Sequence, residues 1–93
     1  MSAWPRGWRE PESSEKAALE RELARELSAG HALYRQGASL IARSDFSDDV
    51  LFALPDGRVA AVHLTWRIER KPEWPSTQVF ASIEAWRPFA ESP

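Results

Sequence analysis

His31 and His63 are the only histidines in the chain. With Asp48, Asp49 and Glu84 they form the set of side chains that could ligate a divalent metal or move a proton. Their spacing argues against a ready-made metal site. No two of them stand at helical or hairpin ligand spacing except the adjacent aspartates, whose side chains diverge on a strand. Asp48 and Asp49 read first as turn residues whose carboxylates accept local backbone N–H groups. Their functional reading is an acidic edge facing His63 or a basic partner. His31 reads as a residue just past a helix C-terminus, where the dipole favours a cation. His63 reads as a hydrogen-bonded histidine in a strand. The alternative for it is a small-ligand or metal-dependent activity shared with Asp48 and Asp49. Ser39, Ser44, Ser47 and Thr65 lie in no Gly-x-Ser-x-Gly elbow, and Gly30, Gly37 and Gly57 are too far apart to cradle a phosphate. The absence of cysteine removes disulfides, zinc ribbons and thiol catalysis. No catalytic residue is assigned, and no cofactor or metal is expected.

Tryptophan is the compositional anomaly, with five in 93 residues. Trp66 and Trp86 fall on the apolar sides of their elements and are expected in the core. Trp74 stands in a loop between Glu73 and Pro75, close in sequence to Arg67, Arg70 and Lys71. Trp and Arg are the side chains enriched at interface hot spots, so this group is the candidate contact patch. The candidate binding residues are therefore Trp74, Arg67 and Arg70, with His63, Asp48 and Asp49. A net charge of −2 does not give the basic footprint of a duplex nucleic-acid binder. No apolar run approaches the ~20 residues of a membrane helix. The opening MSAWPRGWREP has no apolar signal core, and a cysteine-free small domain fits a reducing compartment, so a cytoplasmic protein is expected.

The elements that must position these groups are legible in the pattern. Residues 1–12 read as an irregular N-terminal arm, broken by Pro5, Gly7 and Pro11, with Trp4 and Trp8 alternating with Arg6 and Arg9. Residues 13–90 read as a single α+β domain. Its first element is an amphipathic helix over 13–29, with Ser13 or Ser14 as N-cap and a Leu19, Leu23, Leu27 stripe. Glu20, Arg21, Glu22, Arg25 and Glu26 make up much of its solvated side, and Gly30 stands at a left-handed C-cap. Strands are predicted over 38–43, 50–54 and 59–68, the last two joined by a Pro55-Asp56-Gly57 turn. A charged loop, 69–76, leads to a fourth strand at 77–81. A short C-terminal helix follows, capped by Ser82 and stopped by Pro88. The stripe needs an apolar surface, so the helix is expected to pack on a three- or four-stranded, mainly antiparallel sheet. The expected core is Leu23, Leu27, Leu40, Phe52, Val62, Leu64, Trp66, Phe80 and Ile83.

Gly30-His31-Ala32-Leu33, Asp48-Asp49-Val50-Leu51-Phe52, Val62-His63-Leu64-Thr65-Trp66 and Trp74-Pro75-x-Thr77 form a series. Across about residues 27–87 it resembles a group of small uncharacterised bacterial proteins with a GHxL…DDVLF…VHLTW…WPxT pattern. The resemblance implies a bacterial cytoplasmic setting and a shared fold, and it carries over no activity. The leading expectation is a non-catalytic protein-interaction module of the immunity or inhibitor kind. Its partner would be a protein, and the sheet's open edges also offer a route to a homodimer.

Overall fold

Leucines at 19 and 23 stand one turn apart on a helix over residues 13–26, and the computed structural model, described here for residues 4–91, has that helix and buries both. The chain is α+β, and its described residues form seven elements. β1 is Trp8–Arg9, α1 Ser13–Glu26, β2 Ser39–Ser44, β3 Asp49–Ala53, β4 Val59–His63, β5 Ser76–Phe80 and α2 Ile83–Glu91. The five strands form one antiparallel sheet in the order β1-β2-β3-β4-β5. Leu54 and Arg58 close the β3–β4 hairpin, where Leu54 N–H donates to Arg58 at 2.9 Å and Gly57 takes φ 93°.

Strand alternation divides the core in two. Leu40, Val50, Phe52, Ala60, Val62 and Leu64 pack with Leu19, Leu23 and Leu33, under α1. Ala42, Leu51 and Val59 point the other way and meet Trp86 of α2, flanked by Trp4, Trp8, Phe80 and Ile83. The sheet is thus covered on both faces, and the second cover is built largely from tryptophan.

Several expectations change. The arm supplies a fifth strand, because Trp8 and Arg9 pair with Ser44 and Arg43. Ser13 and Ser14 are the first helical residues and Glu12 is the cap; its N–H donates to the Glu15 carboxylate at 3.0 Å. α1 stops at Glu26, and Leu27 turns extended, so Gly30 (φ 100°) serves a later turn. Leu27, Phe80 and Ile83 are only half-buried. β4 ends at His63, five residues short of the expected end, and Trp66 is 49% exposed. Pro88 lies inside α2 instead of stopping it; a proline in a helix removes one N–H donor, and here the helix continues past it. Ser82 does cap α2, accepting the Ala85 N–H at 3.1 Å.

Charge fastens the arm. Arg9 donates to both oxygens of Glu15 at 2.8 Å and to Asp45 at 2.8 Å, and Arg43 reaches Glu15 at 2.9 Å. Arg9 and the Glu12 N–H together hold the Glu15 carboxyl at about 2. A carboxyl held low stabilises above its ordinary range, and that contribution is lost as pH falls toward the folded value. Acidification to about pH 2 is therefore expected to loosen β1 before the sheet melts. The readout is near-ultraviolet circular dichroism of the packed indoles, and Glu15→Gln should show the loosened signal already at neutral pH.

Candidate functional site

Two places gather the chemistry. The first is the segment from Leu64 to Pro75. Its start is fixed by Glu26, which is fully buried at the end of α1. The Glu26 carboxylate accepts the Thr65 N–H at 2.8 Å, the Thr65 hydroxyl at 3.0 Å and the Trp66 N–H at 2.7 Å. These backbone donors would otherwise extend β4, so their capture explains why the strand ends early. Burial pushes the Glu26 carboxyl up, as does a hydrogen bond shared with Glu22, while the Thr65 and Trp66 donors pull it down. Glu22 moves the other way: burial raises it, but the bond to Glu26 and the Arg25 guanidinium outweigh burial and leave it low. Glu22 and Glu26, expected on the solvated side of the helix, are thus both buried.

The far end of the segment is fixed by His31. Its Nδ1 accepts the Leu33 N–H at 3.0 Å, so Nε2 carries the proton and donates to the Pro75 carbonyl at 2.9 Å. The Thr77 hydroxyl donates to the same carbonyl at 2.9 Å. His31 is thus a buried neutral fastener, not a cation at a helix end, because both ring nitrogens are committed to the fold. Between the two anchors Pro72 lies against Gly30, and the Trp74–Pro75 peptide is cis.

What the anchored segment presents is apolar and basic. Trp66, Ile68 and Trp74 are 49%, 68% and 45% exposed. Arg67, Arg70 and Lys71 are exposed among them. Trp66 sits at φ 60°, a left-handed conformation that a bulky residue adopts only when its surroundings impose it. Here the imposing group is Glu26.

The second place is on the opposite side of the sheet from α1. Asp49 and His63 are register partners, and His63 Nδ1 lies 2.8 Å from Asp49 Oδ1. The Ser47 hydroxyl donates to the other oxygen, Oδ2, at 2.6 Å. A carboxylate only accepts, so Nδ1 is the protonated nitrogen and Nε2 is left bare in the neutral ring. His63 pairs next with Ser76, while Ser44 is the position beyond the Arg43–Val50 pair and is itself partnered by Trp8. One row across the sheet therefore reads Trp8, Ser44, Asp49, His63, Ser76. It floors a groove of about 520 Å³ bounded by Phe89 and Ala90 of α2.

The six candidate residues thus split. His63 and Asp49 meet in the groove. Asp48 contributes its carbonyl, which accepts the Leu64 N–H at 3.1 Å. Trp74, Arg67 and Arg70 belong to the anchored segment and do not line the groove. Among the described residues no three His, Asp or Glu side chains cluster as a metal site. No helix of the described residues is long and apolar enough to cross a membrane. Glu26 was missed because a glutamate amid alternating charges is indistinguishable by type from its solvated neighbours. Its position, one turn past Glu22 and next to Leu27, was the one available signal. Comparison with protein-family models, with curated proteins and with solved structures gives no match for this chain.

Proposed function

We propose that the chain is a non-catalytic protein-binding module whose contact surface is the anchored segment 64–75. The observation that carries this reading is Trp66, held half-exposed in a left-handed conformation by a fully buried carboxylate. A fold that spends a buried carboxylate on displaying an indole, when the same indole could have continued β4 into the core, is organised for presentation. Trp74, Ile68 and the Arg67, Arg70 and Lys71 cations give the surface the composition of an interface hot spot. Glu69 and Glu73 nearly balance those cations, which favours a protein partner over a polyanion. The partner that fits is a protein with an apolar pocket and a rim of mixed charge, capped as an inhibitor or immunity protein caps its target. A cysteine-free domain held by packing suits a reducing cytoplasm for that encounter.

The test is capture with the tagged full chain, identification of the bound protein, and binding measurements with the purified pair. Trp66→Ala and Trp74→Ala are each expected to weaken binding by ~2 kcal/mol or more, about thirtyfold. Phe46→Ala, at an exposed aromatic outside the segment, should leave it unchanged. Equal affinity for the wild type and both tryptophan variants would refute the assignment.

A further inference from the structure

The groove on the α2 side of the sheet is independent of the anchored segment, and its chemistry is different. From the row of side chains on its floor we infer that it is a binding site for a small uncharged polyhydroxylated ligand, of monosaccharide size. The His63 ring nitrogen Nε2 acts as its principal hydrogen-bond acceptor.

Three features lead there. The first is orientation. His63 is held by Asp49 at 2.8 Å, and Asp49 is held in turn by Ser47 at 2.6 Å. Such a relay fixes both the tautomer and the plane of the imidazole. Among the described residues Nε2 has no protein partner, and His63 lines the groove. The second feature is charge. Among the described residues the lining holds no lysine or arginine, and its one carboxylate is already committed to His63 and Ser47. A phosphate or carboxylate ligand would meet Asp49 with no cation to offset it. The third is the kind of polar group left over. Ser44 accepts the Phe46 N–H at 3.0 Å, which leaves its hydroxyl proton to donate. Ser76 and the Gln78 amide can each both donate and accept. A cationic ligand needs acceptors alone, whereas this mixture matches groups that donate and accept at once, and hydroxyls do so at every position. The floor groups stand on adjacent strands, ~4.8 Å apart, so several can reach one small ligand. The Trp8 indole and the Phe89 ring add apolar surface against which the C–H face of such a ligand can lie. A groove of about 520 Å³ lies within the usual size range of small-molecule sites.

The experiment is a titration of the isotopically labelled full chain followed by NMR at the His63 ring nitrogens and the Gln78 side-chain amide. The probes are D-glucose, D-ribose and myo-inositol, with inorganic phosphate and adenine as comparators. The expected result is a saturable shift at His63 and Gln78 with at least one polyol. His63→Ala should abolish the shift at Gln78, and Asp49→Asn should weaken the affinity about tenfold by freeing the ring. His63 is exposed, so its variant keeps the fold, which circular dichroism checks. No shift with any polyol overturns the proposal. So does a larger response to phosphate or adenine, or a polyol shift at Gln78 that persists in His63→Ala.

Discussion

Glu26→Ala is expected to lower the unfolding free energy by ~3–5 kcal/mol, read as a drop in the urea midpoint. The substitution strands three donors at once: the Thr65 N–H, the Thr65 hydroxyl and the Trp66 N–H. A buried donor without a partner costs ~1–3 kcal/mol, so even partial hydration of the vacated space leaves a large deficit. Domains of this kind have only ~5–15 kcal/mol in total, so the loss is a large share of the whole. Glu26→Gln should cost less, because one oxygen remains for Thr65 while an amide N–H₂ now faces the Trp66 N–H. The pair of variants also has a pH signature. A carboxyl raised by folding contributes stability that is fully present below its unfolded value and is lost as pH rises through its folded value. Burial and Glu22 raise Glu26. The stability gap between wild type and Glu26→Gln should therefore widen as the solution is acidified. A gap independent of pH would mean that folding does not raise the Glu26 carboxyl.

Trp86→Ala is expected to cost ~3–5 kcal/mol through transfer and cavity terms. Its indole is fully buried and forms the centre of the second core. The Trp8 ring meets it at 5.0 Å and 88°, and the Trp4 ring at 6.1 Å and 73°. Such edge-to-face pairs add ~0.5–1.5 kcal/mol beyond their buried area. The damage should be directional. Hydrogen exchange should rise first in β1 and α2, which this side chain joins, and last in β3, which α1 still covers. Trp86→Phe should be milder, since the ring it leaves still fills most of the space. It also removes a buried indole N–H that has no hydrogen-bond partner among the described residues.

The parts of the fold that repeat were legible in the sequence. The Leu19 and Leu23 pair of α1, the alternation of Ala60, Val62 and Leu64, and the Pro55-Asp56-Gly57 turn each state a local rule, and the structure obeys them, while Leu27 falls just past the helix end. What was not legible depends on partners far away in the chain. Trp66 continues the β4 alternation perfectly, yet it leaves the sheet because a carboxylate 40 positions earlier takes its N–H. His31 looks like a cation at a helix end until Pro75 supplies the acceptor that makes it a neutral donor. The arm looks irregular because its strand has two residues, too few to show a period, and its anchor is Arg9 on Glu15 and Asp45. Of the candidate site, the Asp49–His63 pair was foreseeable because the hairpin turn sets the register that joins them. Ser44 follows from the short turn at 45–48, whereas Ser76 lies on β5, reached through the long 64–75 segment, whose register no local turn dictates.

The sheet's two margins are not equivalent. One ends in β1, with two residues and two arginine-linked fastenings. The other ends in β5, Ser76–Phe80, five residues without a charge or a proline. Shortening the chain by its first 12 residues would take Trp4 and Trp8 off Trp86 and uncover β2 in the same stroke. The remaining body would then offer two unguarded borders in place of one. Recombinant material trimmed in this way would be prone to stack on itself, and its poor behaviour in solution would reflect the lost border together with the opened second core.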